Sequence, residues 1–176
     1  MYTKKIIIVL YSILSFSLMA DYYVKEQKIY YEGYDHKNGK FINYDDEVKN
    51  IDLDSFEQLN PFYARDNNTV YFRGKETDID RNSIKIIRLN LVKDKNFVYY
   101  GDKKLKVSPK NFLFVNRKVS NESIPTVHAG SIFYVKDSQN AYHVEVDKDG
   151  NIKETKLDNA DVGKLVSWNG ILAKDE

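Results

Sequence analysis

The sequence predicts a mainly β protein: serial β-hairpins separated by short helical turns, arranged as an elongated twisted sheet or a short solenoid-like stack. Three observations predict it. The chain holds 14 Tyr and 9 Phe against only 3 Pro, a composition that suits strands. A polar corner followed by two aromatic residues is written twice, as "RDNNTVYFRGKE" from Arg65 and "KDKNFVYYGDKKL" from Lys93. A lone hairpin is marginal in water, so copies in series bury what one copy leaves exposed.

The first twenty residues are a separate object. "MYTKKIIIVLYSILSFSLMA" has two lysines, an apolar run from Ile6 and a small residue at Ala20, the order of a secretory signal. The run is too short and too rich in serine for a membrane-spanning helix of about 20 apolar residues. We expect cleavage after Ala20, with an uncleaved anchor as the alternative, and therefore an exported protein, periplasmic or extracellular. The mature chain carries no membrane span. Removing Lys4 and Lys5 takes the formal charge from +1 to −1, so no basic excess exists to grip nucleic acid. Without cysteine, the fold rests on apolar burial and backbone pairing, and thiol catalysis is excluded.

The remaining 156 residues (176 − 20) suit one domain of repeated units. Asp66 and Asp94 are 28 apart (94 − 66), and the same step relates Tyr71 to Tyr99, Asp80 to Ser108 and Ile84 to Phe112. One step back from Asp80 and Ile84 lies Asp52 with Phe56. Asp and Asn in the corners bond their own backbone, so each corner turns one strand into the next. Asp52, Asp80 and Ser108 (the last followed by Pro109) are placed to cap a single helical turn that tucks Phe56, Ile84 or Phe112 under the sheet. The units run approximately over residues 21–59, 60–87, 88–115 and 132–168, with a polar insertion at 116–131.

Both outer units are longer. The first follows "YVKEQKIYYEG" with a second corner at "DHKNGKFINY", and the last follows "YVKDSQNAYHVEV" with the hairpin signal "DKDG". Each is expected to carry one extra hairpin, as caps of an array. Asp161 and Leu165 repeat the Asp80–Ile84 spacing, so "LAKDE" reads as the start of a further unit. Tyr99 and Tyr100 alternate across their strand. One is expected to stack on the neighbouring unit and the other to cover the outer face.

"DKNFVYY" at Asp94–Tyr100 and "DNNTVYF" at Asp66–Phe72, with "SPKNF" at Ser108–Phe112, resemble the DKNYY family of bacterial proteins, named after this repeated motif. The resemblance covers most of the mature chain, strongest over Tyr63–Phe112 and weak over Asn116–Lys156. It implies a repeat architecture and export and supplies no catalytic residues.

Candidate sites are few. Glu145–Lys156 imitates a calcium loop but puts lysine where a bidentate glutamate belongs, so a hairpin turn is expected. His36, His128 and His143 show no metal spacing, and no nucleophile elbow or glycine-rich phosphate loop is present. Asp45–Asp46 and Asp52–Asp54 are the carboxylate pairs that would serve a hydrolase, and a turn or cap explains them better. The reading is therefore not an enzyme, with no cofactor and no metal. It is an exported, non-catalytic module that binds a protein partner in the cell envelope, a partner favoured over a glycan. Tyr30, Tyr71 and Tyr99 would form an exposed aromatic stripe, tyrosine being a favoured interface residue, and His128 marks the insertion as the place of contact. A structural envelope component, a glycan binder and a carboxylate-based hydrolase are the alternatives.

Overall fold

The computed structural model describes residues 21–35, 40–115, 132–165, 167–168 and 171–172. The leader 1–20, His36, the insertion with His128, and Ala173–Glu176 lie outside them. Among the described residues seventeen strands form five antiparallel sheets, and no helix occurs. The first sheet holds β1 (Asp21–Lys25), β2 (Lys28–Asp35) and β3 (Lys40–Glu47). The second holds β4 (Glu57–Gln58), β5 (Tyr63–Arg65), β6 (Val70–Phe72) and β7 (Lys75–Glu76). The third repeats it with β8 (Lys85–Ile86), β9 (Leu91–Lys93), β10 (Val98–Tyr100) and β11 (Lys103–Lys104). The fourth is built from β12 (Leu113–Val115), β13 (Ile132–Lys136), β14 (Ala141–Val146) and β15 (Ile152–Lys156). A hairpin of β16 (Ser167–Trp168) and β17 (Ile171–Leu172) is the fifth.

The strands do not merge into one elongated sheet. Copies meet through side chains, because the two inner sheets end on edge strands that give little to pair with. β4, β7, β8 and β11 are two residues each, with exposed Glu-Gln, Lys-Glu, Lys-Ile and Lys-Lys. Short charged edges discourage lateral addition of another strand. Sheet limits also fall differently from the sequence units: Glu57–Gln58, Lys85–Ile86 and Leu113–Val115 each pair with the strand that follows them.

The expected helical turns do not form; the stretches after Asp52 and Asp80 are isolated hydrogen-bonded turns. Ser55 N donates to Asp52 O at 3.3 Å and Ser83 N to Asp80 O at 3.2 Å. The next amide inward goes to the aspartate side chain, Asp54 N to Asp52 Oδ1 at 3.1 Å and Asn82 N to Asp80 Oδ1 at 2.8 Å. A side chain that takes these amides offers the backbone an alternative to a helix, and one turn leaves the cost of helix nucleation unrecovered. The tuck itself occurs: Phe112 is buried, and Phe56 and Ile84 pack against the first core cluster.

The outer units also differ from expectation. Among the described residues the second corner of each makes no additional hairpin; the β2–β3 and β14–β15 pairs are longer instead. β2 and β3 have eight residues each, and β14 and β15 have six and five, where β7 and β11 have two. "DKDG" makes the β14–β15 turn.

The inner sheets are buried on both faces. On β9 and β10, Val92 and Tyr99 join a core with Tyr22, Tyr31, Tyr63 and Tyr71, while Leu91, Val98 and Tyr100 join one with Phe133, Val135 and Val144. Tyr99 and Tyr100 thus point to opposite sides, yet neither side is an outer face. Tyr100 stacks on Phe133 at 5.9 Å between ring centroids.

Close approach of successive sheets is fixed by turn glycines. Gly74 (φ +76°) and Gly101 (φ +62°) follow the aromatic pairs of β6 and β10. A Cβ on Gly74 would lie 2.9 Å from Tyr31 Cβ, and one on Gly101 would lie 3.0 Å from the Phe72 ring. Each glycine gives both a left-handed backbone and a seat for the preceding sheet's aromatic ring. Gly101→Ala should therefore destabilise the protein by about 2 kcal/mol or more, adding backbone strain to overpacking. Chemical denaturation of the variant measures this; a change below about 0.5 kcal/mol would mean that the Phe72 contact does not set the sheet spacing.

Candidate functional site

The groups most able to do chemistry sit at the corners, and their geometry is that of a fastening. Asp66 is 1% exposed. Its Oδ1 accepts Asn68 N at 2.7 Å and Thr69 N at 2.8 Å, and its Oδ2 accepts Asp52 N at 2.8 Å and Tyr71 Oη–H at 2.9 Å. Twenty-eight residues on, Asp94 repeats the set. Oδ1 takes Asn96 N and Phe97 N, both at 2.7 Å, and Oδ2 takes Asp80 N at 2.9 Å and Tyr99 Oη–H at 3.0 Å. Asp137 takes Gln139 N and Asn140 N at 2.8 Å and Ser108 N at 2.9 Å.

One carboxylate thus shapes its own turn and ties down the turn before it. Asp66 and Asp94 reach back 14 residues, to Asp52 and Asp80; Asp137 reaches back 29, to Ser108. The 15-residue surplus (29 − 14) is one short of the 16-residue insertion at 116–131, which enters between β12 and β13 while the Asp137–Ser108 bond is kept. Ser55 and Ser83 add a second tie through Oγ, accepting Asn67 N at 2.9 Å and Lys95 N at 3.0 Å.

Burial alone would raise the pKa of Asp66 and Asp94. The backbone amides and the tyrosine hydroxyl outweigh it and hold both carboxyls below the usual carboxylate range. Asp137 is held low by its three amides in the same way, again against burial. Burial first, and the aspartate partner second, push Tyr71 and Tyr99 well above the ordinary phenol value. A general base works best with a pKa near the operating pH; these carboxylates are tuned the other way and their lone pairs are taken.

Tyr71 and Tyr99 are 0% and 1% exposed, so they form no exposed stripe with Tyr30. The alternation read from sequence places them on one face but does not reveal that their hydroxyls are needed at Asp66 and Asp94. Tyr30 is half-buried on the first sheet, its ring stacked on Tyr23 at 5.4 Å. His143 is half-buried, with Nδ1 3.4 Å from Glu145 Oε1. Asp52 and Asp54 share a turn, and Asp147 closes its hairpin by accepting Asp149 N and Asn151 N, each at 2.8 Å. Among the described residues no three His, Asp or Glu are gathered to hold a metal ion.

A second set of tyrosines was missed by sequence reasoning. Tyr22 Oη donates to Phe62 O at 3.2 Å and accepts Gly74 N at 3.0 Å, linking the first sheet to the second. Tyr63 Oη donates to Gly101 O at 2.8 Å, with Asn90 O at 3.2 Å, linking the second to the third. Tyr63 stands three residues before Asp66, as Tyr134 stands three before Asp137. That Tyr-x-x-Asp spacing is a signal for Tyr63; Tyr22, with Lys25 three residues on, carries none.

Residues 63–176 match the DKNYY family. The chain belongs to that family. The match extends through the stretch whose resemblance is weakest by eye, and it starts at the first residue of β5, leaving the first sheet before it. No curated protein and no solved structure matches the chain. In this DKNYY protein the Asp of the motif is the corner acceptor, and the first Tyr of the aromatic pair is the donor that fills it.

The corner makes a pH prediction. Each lowered carboxyl stabilises the fold fully above its unfolded value, about 3.9, and loses that contribution as pH falls below it. Stability should be flat through neutral pH and fall steeply below about pH 4. Asp94→Asn should cost about 3 kcal/mol at pH 7, because an amide nitrogen cannot accept from Asp80 N and Tyr99. The gap to wild type should narrow under acid, as measured by denaturation at several pH values. A constant gap down to pH 2 would contradict the ionised role.

Proposed function

We propose that this DKNYY protein is an exported, non-catalytic module of the cell envelope that binds another protein, built as a serial array of small stacked sheets. The observation that carries the reading is where the reactive side chains go. Asp66, Asp94, Tyr71 and Tyr99 are consumed in holding corners. Large apolar side chains remain at the surface of the fourth sheet, where Leu113 is 57% exposed and Ile132 60%. Leu113 lies opposite Lys136 at one end of β13 and Ile132 stands at its other end, so the sheet offers two separate apolar points for a partner. The array reading is supported by the corner bonds that recur 28 residues apart and by turn glycines that seat the preceding aromatic ring. Export is supported by the order of charge, apolar run and small residue in the leader.

A protein is favoured over a glycan because the aromatic platform that would take a sugar is largely interior. A carboxylate hydrolase is disfavoured because the acidic groups of the corners already hold their donors. The test is retention of envelope proteins on the immobilised chain, compared with the double variant Leu113→Ser and Ile132→Ser. Wild type should hold a defined protein, and the variant at least about tenfold less, with an unchanged melting temperature. Equal retention by both, or elution of a glycan in place of a protein, contradicts the proposal.

A further inference from the structure

Two arginines stand where the fold asks for other residues. Arg73 lies 28 residues before Gly101, and Arg88 lies 28 after Asn60. Arg73 and Gly74 make the turn between β6 and β7, both in the left-handed region, with φ +50° and +76°. Glycine or asparagine suits the first of those positions, and a longer side chain there carries strain. The next copy has Gly101 at the matching place, with φ +62°. Asn60 closes the turn between β4 and β5, its Oδ1 accepting Phe62 N at 2.8 Å and Tyr63 N at 2.9 Å. Arg88 occupies the matching turn between β8 and β9, where its side chain has no oxygen to do the same.

Both side chains are nevertheless held in place. Arg73 Cζ lies 5.0 Å from the centre of the Phe62 ring and 5.3 Å from that of Phe72, and Arg88 Cζ lies 5.3 Å from that of Phe114. A ring face attracts the cation and offers no oxygen to its N–H groups. Among the described residues neither guanidinium donates a hydrogen bond or joins an ion pair, and Arg88 Nε is buried without a partner. Arg65 and Arg81 differ: they donate to Glu57 and to the Asp66 carbonyl, at 2.8 Å each.

The two arginines share one rim of the array. Their turns lie at the ends of the hairpins opposite the Asp66 and Asp94 corners. There Tyr63 Oη reaches Gly101 O and Asn90 O. Burial pushes the Tyr63 phenol up, Asp102 adds to the push and Arg73 opposes it; on Tyr100, Asn90 and Arg73 both oppose burial. Tyr100 stacks on Phe133, whose ring is 5.7 Å from that of Phe114, the one beneath Arg88. Asp102, exposed in the same rim, pairs with neither arginine.

The donors define the ligand. A guanidinium is a planar fork that matches a carboxylate. The mature chain's formal charge of −1 gives no broad positive field to draw a polyphosphate or a nucleic acid. Phe114 is also the neighbour of Leu113 on β12, so Arg88 stands beside a strand with an exposed apolar residue.

We propose that Arg73 and Arg88 form a carboxylate-binding rim that takes an acidic segment of the protein partner. The inference rests on the reading of the chain as a protein-binding module and names the chemistry of what it binds.

An acetylated, amidated hexaglutamate peptide titrated into the full chain tests this, with the arginine Nε–H resonances followed by NMR. Those of Arg73 and Arg88 should shift and saturate with a Kd of about 1 mM or below, while those of Arg65 and Arg81 stay in place. Arg73→Gly restores the residue that the turn prefers, and Arg88→Lys keeps the charge without the fork. Each should retain the circular dichroism of wild type and weaken the peptide by about fivefold or more. If Arg88→Lys does not fold, Arg73→Gly decides alone. Absence of saturation, equal shifts with hexaglutamine, inorganic phosphate bound as tightly as the peptide, or full affinity in Arg73→Gly overturns the proposal. Retention of an envelope protein that is unchanged in the double variant overturns it while leaving the binding-module reading in place. A wild type that binds the peptide at this rim but retains no envelope protein supports the carboxylate site and contradicts that reading.

Discussion

A buried, ionised aspartate at three corners, Asp66, Asp94 and Asp137, is the interaction on which the fold depends. The inner strands are three residues long or shorter, and strands of that length cannot hold a register alone. Asp66 and Asp94 each collect two amides from their own turn, one from the turn 14 residues earlier, and a tyrosine hydroxyl from the returning strand. Taking a carboxylate out of water costs several kcal/mol. Charge-assisted hydrogen bonds of about 1.5–3 kcal/mol each offset that cost when four converge on one group. The motif therefore encodes a clamp, whose four hydrogen bonds occupy the acceptor positions of the carboxylate.

The clamps leave side-chain packing to do the rest. With no cysteine and only short edges, neighbouring sheets are joined by what lies on their faces. Val92 and Tyr99 serve one neighbour while Leu91, Val98 and Tyr100 serve the other, so burying both faces takes one sheet on each side. Turn glycines allow the rings of Tyr31 and Phe72 to approach the next backbone, and Tyr22 and Tyr63 carry hydrogen bonds across the joint.

Much of this was legible in the sequence because the clamp is local. The 28-residue step, the polar corners at Asp66 and Asp94, the hairpins and the tuck of Phe112 all follow from residues close in sequence. What failed was non-local. Period alone does not tell whether copies join edge to edge or face to face, so a single elongated sheet was open and five sheets formed. Alternation separates Tyr99 from Tyr100 but does not show that both sides are covered. Asp52 and Asp80 looked like helix caps; they cap turns whose amides are tied from 14 residues ahead. Tyr22 and Tyr63 matter through partners one sheet away, and only the Tyr63–Asp66 spacing hints at it.

Hydrogen exchange at single amides tests the clamp most directly. Asp52, Asp80 and Ser108 lie in turns, where an amide exposed to water exchanges with little protection. If their N–H groups are held by the buried carboxylates of Asp66, Asp94 and Asp137, they should be protected like the central strand amides of Tyr71 and Tyr99, opening only with the fold. Fast, loop-like exchange at these three positions in an otherwise protected protein would contradict the account.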